Sequence, residues 1–501
     1  MRFLPVGQDA TLVECADLDE AMALSGFLRE RPVAPGQIVP GARTVLTPGW
    51  PERVRDHLDG WSAARSDSAI RRQIEIPVVY DGEDLAEVAA LTGLSVAEVV
   101  ERHQAACYRV AFTGFAPGFA YLSGGDPALD VPRRSSPRTS IPAGSVAVAG
   151  EFTGVYPRSS PGGWQLLGRT EAAMWDLERD PPALLGLGDE VRLVGVTSLR
   201  PSILRQRKEP PRRRPALQVL APSPLLTVQD LGRAAADLGV TTSGAMDRPA
   251  LRAANRAVGN EAGAAALEVA YGPARLLALR DLVVAVTGAA GPCGPFLLAD
   301  GEELELAAPS RGVYSYVAVR GGIDVDPVLG SRSGDTLSGV GPGPLRTGDL
   351  LPVGPPGRRA VEPVVPGPCP PESGEVVEVE AVLGPRDDWF TDESVRRFLT
   401  QDWEVTAASN RIGVRLRGER ALERSVTTEL PSEATVEGAV QVPADGQPVV
   451  FTADHPVTGG YPVIACLPPT SLARVVQAPV GSFLCFRVSS PRGQRDRSPA
   501  G

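Results

Sequence analysis

The chain has 501 residues, of which 22% are charged, and a formal net charge of -10 at pH 7. This length allows several domains, and the acidic balance disfavours a nucleic-acid-binding protein, whose surface is usually basic. No apolar run approaches the roughly 20 residues of a membrane span, and the first residues lack the layout of a signal peptide. We therefore expect a cytoplasmic protein without a membrane segment.

Residues 1–78 are predicted to form a small α+β domain. Its helix begins after Asp17, because Asp17 and Glu20 have the spacing of a capping box, and it ends before Pro32. This domain precedes a second, more strand-rich one.

Residues 79–200 are predicted to form that second domain, from short strands and two helices. The second helix begins at Ser95, again with a glutamate, Glu98, three residues later. His103 lies near the end of this helix, where the helix dipole favours a protonated imidazole. A structural role for His103 is the first expectation.

The segment from Thr113 to Thr170 is dense in glycine and proline, which predicts tight turns and closely packed backbone. It also carries Arg133, Arg134 and Arg138 within six residues. A rigid, locally basic segment in an acidic protein is a candidate anion-binding site. The alternative is a β-barrel with ordinary turns and a solvated arginine cluster.

Two segments rich in proline divide the rest of the chain. Residues 201–216 and 355–374 have little apolar periodicity and are predicted linkers. Between them, residues 217–354 contain many short β-type runs, which favour a barrel or sandwich. Residues 375–490 form the last predicted domain, and 491–501 a disordered tail.

One helix is predicted in the third domain, beginning at Asp247. Asp247 is a good N-cap, Pro249 suits the first helical turn, and Gly259 suits the end of the helix. Capping alone explains Asp247 fully.

The census of reactive residues excludes several chemistries. Six scattered cysteines without a C-x-x-C pair indicate reduced thiols, and the three histidines form no metal-binding motif. Lys208 is the only lysine, and it lies in the first linker, so a Walker A loop, a Schiff base and a biotin-carrier lysine within a domain are excluded. Arginine, backbone N–H groups or hydroxyls must therefore bind any phosphate or carboxylate.

The motifs of the two halves resemble two companion protein families. Residues 1–200 resemble the B subunit of 5-oxoprolinase, also called allophanate hydrolase subunit 1 or KipI-like, through the segments TGFAPGFAYL, VPRRSSPR, IPAGSVAVAG and SPGGWQLLGRT. Residues 216–490 resemble the C subunit of 5-oxoprolinase, also called allophanate hydrolase subunit 2 or KipA-like, through LLTVQDLGR, TSGAMDRPALRAANRAVGN, SNRIGVRLRG and TADHPVTGGYPVIA. The chain thus resembles a fusion of the two subunits.

This resemblance implies a mainly β fold with some α, with a cyclophilin-like β-barrel in each half after the small N-terminal α+β domain. It implies ATP-dependent cleavage of 5-oxo-L-proline to L-glutamate, with ATP and Mg²⁺ and with a LamB/YcsF-type partner protein. A homo-oligomer is left open. Barrel shape alone implies no activity.

Two other functions are compatible with the same resemblance. One is the carboxyltransferase component of a biotin-dependent urea or amide carboxylase, with biotin carried by another chain. The other is a regulator that binds a sensor histidine kinase, as some KipI-like proteins are thought to do.

The implied chemistry requires cations for phosphate, a carboxylate clamp, a base and donors for a developing oxyanion. The candidate catalytic residues are Asp247, Asp335, Asp445, Gln441 and His103, with Asp454 as a further candidate base. The candidate substrate- or phosphate-binding residues are Arg133, Arg134, Arg138, Ser145, Gly162, Gly163, Arg332, Asn410, Arg411, Arg415, Gly459 and Gly460. No metal ligands are predicted. We expect the site between residues 113–170 and 409–463.

The sequence departs from the family pattern at several positions. Val463 stands where a lysine is common, and Pro456 and Val457 replace a Gln-Thr type pair. Ala120 and Gly334 replace a common proline and threonine. The first three departures lie beside the candidate site, so they bear on substrate identity.

Overall fold

The computed structural model describes residues 1–63, 72–199 and 213–488. Lys208, most of the first predicted linker and the predicted tail from residue 491 lie outside the described residues. In the part described, the protein is built mostly of β-strands, and the predicted fold class is confirmed.

The N-terminal unit is a four-stranded antiparallel sheet with two helices. Its strands have the order β1-β2-β4-β3. The predicted cap is present, since the Asp17 carboxylate accepts the Glu20 N–H at 2.8 Å. The elements are β1 (Arg2–Val6), β2 (Ala10–Glu14), α1 (Leu18–Glu30), β3 (Val39–Pro40), β4 (Thr44–Pro48) and α2 (Pro51–His57).

A seven-stranded barrel completes the first half. Its order is β12-β9-β10-β7-β6-β13-β5, and backbone hydrogen bonds of 2.9 Å in both directions between Val79 and Arg169 join the two ends. The elements are β5 (Gln73–Val78), α3 (Leu85–Thr92), α4 (Val96–Ala105), β6 (Tyr108–Thr113), β7 (Ala120–Ser123), β8 (Arg138–Ile141), β9 (Ser145–Ala149), β10 (Phe152–Val155), β11 (Ser160–Gly162), β12 (Gln165–Arg169) and β13 (Glu190–Gly195). Strands β8 and β11 pair separately.

The boundary between these two units lies earlier than predicted. Strand β5 was placed in the small domain by the boundary at residue 78, but it pairs in parallel with β13 over its whole length. The alternating pattern of β5 could not show this partner, because β13 lies more than 100 residues further along the chain.

The third unit consists of two packed sheets and one helix. The sheet orders are β20-β17-β14-β22 and β15-β16-β21-β18-β19, and Asp247 caps the helix by accepting the Ala250 N–H at 2.9 Å. The elements are β14 (Pro215–Ala221), β15 (Leu225–Gln229), α5 (Arg248–Ala257), β16 (Ala266–Ala270), β17 (Ala274–Ala278), β18 (Leu282–Gly288), β19 (Cys293–Leu298), β20 (Glu303–Leu306), β21 (Tyr314–Val319) and β22 (Leu350–Pro352).

The last unit is a closed barrel with the order β23-β30-β27-β28-β25-β24-β31. Residues 354–373 before it contain no strand or helix, as expected for a stretch with so many prolines. The elements are β23 (Val376–Leu383), α6 (Asp392–Thr400), β24 (Trp403–Val405), β25 (Gly413–Arg417), β26 (Glu433–Ala434), β27 (Ala439–Gln441), β28 (Val449–Phe451), β29 (Thr458–Gly459), β30 (Val463–Cys466), α7 (Pro469–Val476) and β31 (Phe483–Val488), with β26 and β29 paired outside the barrel.

The hydrophobic cores connect the units. One core joins helix α5 and strand β21 to the second barrel, through residues such as Leu251, Tyr316 and Phe486. Another joins the N-terminal sheet to the second barrel, where Leu12 and Val39 lie among Phe451 and Val463. The two halves therefore share buried apolar surface.

Candidate functional site

The two halves meet at the loop that begins the segment Thr113–Thr170. The Thr113 hydroxyl donates to the backbone oxygen of Asp237 at 2.9 Å. Gly114 lies so close to Thr458 that a Cβ at this position would overlap the Thr458 hydroxyl. Because only glycine allows this approach, the segments 113–170 and 409–463, between which the site was expected, come into contact at Gly114.

Two residues near this contact have left-handed backbone although neither is glycine. Phe115 has φ 61° and Ser243 has φ 54°. Such conformations are costly for residues with a side chain, and they concentrate at functional sites. The Phe115 ring is 37% exposed and packs edge-on against Phe119 at 5.3 Å, whereas Ser243 is fully buried.

Ser243 belongs to a buried network of charged side chains in the second half. The Arg411 guanidinium donates to Asp454 with both Nε, at 2.9 Å, and Nη2, at 3.0 Å, and it also donates to Glu268. The Ser243 hydroxyl donates to the same Asp454 carboxylate at 2.7 Å. Arg411 and Asp454 have fully buried side chains, so this network has no direct access to water.

Burial and pairing act in opposite directions on these groups. Burial tends to raise the pKa of Asp454, but the charge and hydrogen bonds of Arg411 hold it below its usual value. Burial dominates for Glu268 and raises its pKa in spite of Arg411. Burial tends to lower the pKa of Arg411, but the two carboxylates raise it well above its usual value, so Arg411 stays charged.

The network extends towards helix α5. The Tyr316 hydroxyl donates to Glu268 at 2.8 Å and accepts the Asp247 N–H at 2.7 Å. The Asp247 side chain itself caps the helix and also accepts from Gln477 at 2.9 Å. Asp247 is thus brought near the charged cluster, but its carboxylate oxygens are already used for structure.

The loop from Ser333 to Gly341 covers the other side of Asp454. Thr336 donates to Asp454 with its hydroxyl at 2.7 Å and with its N–H at 2.9 Å. Asp335 accepts the N–H groups of Leu337 and Ser338 at 2.8 Å and 3.0 Å. Burial and the nearby Asp454 charge raise the pKa of Asp335.

Arg233 was not among the predicted site residues, although it ends the quoted motif LLTVQDLGR. It is only 4% exposed, and its Nη2 donates to the backbone oxygen of Ser333. Its Nε and Nη1 have no hydrogen-bond partner within the described chain. Burial lowers its pKa, while the charges of three aspartates, Asp335, Asp230 and Asp454, act against that lowering.

Two arginines of the predicted basic cluster in the first half are not free to bind an anion. Arg134 donates to Asp84 at 2.6 Å, and Arg138 donates to both oxygens of the same carboxylate at 2.8 Å and 2.7 Å. Burial tends to raise the pKa of Asp84, but these arginines and the Leu166 N–H lower it. The third member, Arg133, is exposed. Arg134 and Arg138 instead neutralise one buried carboxylate.

Each half of the chain matches a known family model. The family model described as "Carboxyltransferase domain, subdomain C and D" matches residues 1–185, and the model for "subdomain A and B" matches residues 238–488.

The chain belongs to the carboxyltransferase-domain family.

Within this family the chain is similar to two subunits of one enzyme, 5-oxoprolinase. It is 37% identical over 293 residues to the C subunit from Escherichia coli (strain K12), covering 54% of this chain and 90% of that protein. It is 52% identical over 130 residues to the B subunit from Bacillus subtilis (strain 168), covering 25% of this chain and 54% of that protein. The resemblance to a fusion of B and C subunits is confirmed.

A solved structure reproduces the whole arrangement. The protein TTHA0988 superposes with a TM-score of 0.82 at 37% identity, covering 95% of this chain and 99% of that one. The order of both carboxyltransferase-type halves in a single chain is therefore shared with a known structure.

His103 lies in the core of the first half, away from solvent. It is fully buried, with Nδ1 2.8 Å from the Tyr80 hydroxyl and Nε2 3.1 Å from the Thr153 hydroxyl. Burial lowers the pKa of His103 to about 3, so the imidazole is neutral. This position supports the structural role, and contact with substrate is not supported.

Several other predicted residues have structural contacts. The Ser145 hydroxyl donates to the Pro142 oxygen at 2.8 Å, Gln441 Nε2 donates to the Tyr461 oxygen at 2.9 Å, and Arg332 Nη2 donates to Asp324 at 2.9 Å. Asn410 and Asp445 form turns in the exposed part of the second barrel, where each carboxyl or amide oxygen accepts a nearby backbone N–H.

The remaining predicted residues lie in turns or at the surface. Gly162 is packed against the Tyr156 ring, whereas Gly163 lies over Pro137. Arg415 is exposed. Gly459 belongs to β29 and lies over Gln441, and Gly460 follows it in the turn. Of the predicted set, Asp335, Arg411 and Asp454 converge, with Asp247 linked to them through Tyr316 and Glu268.

Two of the residues that depart from the family pattern lie in apolar surroundings. Val457 and Val463 are buried in the core that joins the N-terminal sheet to the second barrel. The backbone oxygen of Pro456 accepts from the Thr435 hydroxyl and lies 2.7 Å from His455 Nδ1. Valine at 463 removes a charge that a lysine would have to bring into this core.

The described residues show no cluster suited to a metal ion. In residues 1–63, 72–199 and 213–488, no group of three or more histidine, cysteine or acidic side chains could hold one. The helices of these same ranges are also too short or too polar to cross a bilayer.

Proposed function

We propose that this chain supplies the combined B and C subunits of an ATP-dependent 5-oxoprolinase, which cleaves 5-oxo-L-proline to L-glutamate. The observation that carries the proposal is the union of a B-like and a C-like half in one chain, packed through the Gly114–Thr458 contact and a shared apolar core. Activation of a cyclic amide by ATP requires a polar site shielded from bulk water, and the buried network beside this contact is such a region.

In the proposed reaction, the lactam oxygen attacks the γ-phosphorus of ATP and ADP leaves. A water molecule then adds to the activated carbon, and the ring C–N bond breaks with transfer of a proton to the nitrogen. This gives γ-glutamyl phosphate, which a second water hydrolyses to glutamate and phosphate. Asp335 is the proposed base for the first water: burial and the nearby Asp454 charge raise its pKa, and the water takes the place of the Ser338 hydroxyl that donates to Asp335.

We place ATP with its Mg²⁺ on a LamB/YcsF-type partner protein or at its junction with this chain. One observation supports this placement. The predicted phosphate-binding residues Arg134 and Arg138 are occupied by Asp84. No step of the reaction on this chain is assigned to the metal.

The proposal is tested by mixing the purified full chain with the LamB/YcsF-type protein, 5-oxo-L-proline and ATP. We expect glutamate and ADP to form in equal amounts, and neither to form when the partner or ATP is omitted. Coupled assays for both products measure this directly. Absence of glutamate from the complete mixture contradicts the proposed function.

A second candidate is a biotin-dependent carboxyltransferase, which the family description of both halves favours. In this reaction the carboxyl group of carboxybiotin would pass to the nitrogen of urea or another small amide. Incubation of the chain with carboxybiotin and urea, followed by detection of allophanate, distinguishes it. Allophanate without glutamate formation would replace the first proposal with this one.

A further inference from the structure

Arg233 is a buried cation whose hydrogen-bonding capacity is largely unused. Its side chain donates once, from Nη2 to the Ser333 oxygen, while Nε and Nη1 lack partners among the described residues. At 4% exposure, water reaches it poorly. Unpaired buried donors of a charged group are costly, and in a native protein such groups call for an explanation, such as a catalytic role or a bound water or ion.

The other arginines of the described chain differ from Arg233. Four of them also have a buried side-chain nitrogen without a partner, but in each case this is Nε alone; they are Arg109, Arg134, Arg158 and Arg248. Arg411, equally buried, directs all three nitrogens to acceptors. Arg233 is thus distinguished by two free nitrogens, and by its place beside the network that contains Asp454.

The charges around Arg233 determine which kind of hydrogen-bond acceptor can bind to it. Asp230, Asp335 and Asp454 act on it through their charges, yet none of them forms an ion pair with it within the described residues. Asp230 already accepts from the Ser331 and Ser333 hydroxyls, each at 2.6 Å. A ligand carboxylate or phosphate would be repelled by these aspartates, whereas a neutral carbonyl oxygen would not.

The loop over Arg233 is tightly packed and has to move to admit a small ligand. Gly341 has φ 91°, and a Cβ there would lie 3.2 Å from Arg233 Nη2 and overlap the Ser333 oxygen. The same loop exposes Thr336 and Gly339 to solvent. A small molecule that displaces this loop locally reaches the guanidinium without opening either barrel.

We propose that the free N–H groups of Arg233 bind the carbonyl oxygen of the amide substrate. This inference rests on the proposed function for its physiological ligand, the lactam of 5-oxo-L-proline. The guanidinium holds the amide carbon next to Asp335 and Thr336, on the loop that carries both. Arg233 thereby binds the neutral amide carbonyl of the substrate and not its carboxylate.

The test is titration calorimetry on the full chain, alone and with the LamB/YcsF-type partner. The probes are 5-oxo-L-proline, 2-pyrrolidinone and urea, which share an amide-type carbonyl, and L-proline, which has no ring carbonyl. For Arg233→Met we expect Kd for the three carbonyl probes to rise on the order of 10- to 100-fold, the loss of charge-assisted hydrogen bonds. The matched control is Arg280→Met, since exposed Arg280 also donates to a single backbone oxygen, that of Val353 at 3.3 Å.

The outcomes separate this inference from the proposed function. If Arg233→Met binds all three carbonyl probes as well as the wild type, or if the wild type binds none of them at millimolar concentration, the inference is overturned. Arg233-dependent binding without glutamate formation supports the inference and overturns the function. If Arg233→Met forms glutamate with an unchanged KM for 5-oxo-L-proline, the proposed function is supported and the inference is overturned.

Folding of the variant is controlled with a milder change. Arg233→Lys keeps a positive charge among the three aspartates but loses the planar set of donors. If Arg233→Met does not fold, a rise in Kd for the carbonyl probes in folded Arg233→Lys supports the inference, and an unchanged Kd overturns it.

Discussion

The first and second halves use arginine in different ways. In the first half, Arg134 and Arg138 are 27% and 20% exposed and converge on the single carboxylate of Asp84. In the second half, Arg411 is completely buried and joins Asp454 to Glu268, residues that lie far apart in the sequence. The first arrangement fastens a surface loop to a helix start, whereas the second holds separate units together.

This difference shows what an arginine-rich stretch does and does not indicate. Three arginines within six residues predicted an anion site, but two of them close onto a carboxylate of the same half. Single arginines in less conspicuous motifs, Arg233 and Arg411, instead lie where the second half folds around buried charge. Availability depends on partners that the local sequence does not reveal.

The largest expected effect follows from removing Arg411. In Arg411→Met, Asp454 and Glu268 lose their common cation while remaining buried, which typically costs about 3–5 kcal/mol of unfolding free energy. Urea denaturation followed by tryptophan fluorescence measures the loss.

The control for Arg411 is an exposed pair in the same barrel. Arg417 is 66% exposed and lies 2.6 Å from Glu404, so Arg417→Met is expected to cost about 0–1 kcal/mol. Equal losses in the two variants would show that the burial of Arg411 does not increase its contribution to stability.

Arg386 extends the comparison to the contact between halves. It is buried, donates from Nε to both oxygens of Glu433 at 3.0 Å, and reaches Glu14 of strand β2 at 2.9 Å. Since Glu14 is partly exposed and can be rehydrated, Arg386→Met should cost less than Arg411→Met, about 2–4 kcal/mol.

The same denaturation experiment also tests the geometry of Arg386. Glu14→Gln removes the charge that pairs with Arg386 between the halves and with exposed Arg2 within the first half, and it is expected to cost about 1 kcal/mol. A Glu14→Gln loss as large as that of Arg386→Met would mean that the contact with the first half, not Glu433, dominates.

A smaller effect is expected in the first half. Arg138→Met leaves Asp84 with Arg134 and the Leu166 N–H as partners, so we expect a loss of about 1–2 kcal/mol. We also expect an unchanged Kd for 5-oxo-L-proline, because this arginine is occupied by Asp84. A marked rise in Kd, with little loss of stability, would restore the predicted anion site in the first half.

Much of the fold could be predicted from local patterns. The caps at Asp17, Ser95 and Asp247 are present as expected, because capping depends on residues within one turn. Strand β5 was assigned to the wrong unit because its parallel partner is distant in sequence. The local sequence pattern thus predicts the helices and strands, whereas the pairing of the strands is known only from the folded structure.

The candidate site was predicted less completely, for the same reason. Arg411, Asp454 and Asp335 lay in recognisable motifs and do converge. Glu268 was missed because nothing near it in the sequence marks a buried charge. Ser243 lies in the motif TSGAMDRPALRAANRAVGN, but nothing there marks a left-handed serine. In the sequence, Arg233 is marked only by its position in the motif LLTVQDLGR. Its two nitrogens without partners result from packing and could not be predicted.

The last prediction concerns a polar group of the first half that is buried without a counter-charge. Burial keeps the pKa of His103 at about 3, well below the 6.5 of an ordinary histidine, so the unfolded chain binds a proton that the folded chain does not. Stability is therefore lost as pH falls below about 6.5, by about 1.4 kcal/mol per pH unit. Replacing His103 by glutamine removes this term and should flatten the dependence of unfolding free energy on pH between about 6 and 4 by that amount. The slope should not vanish, because buried His455 of the second half, with its pKa lowered to about 4, keeps its own contribution. An unchanged slope in His103→Gln would show that the proton bound on unfolding is taken up by a group other than His103.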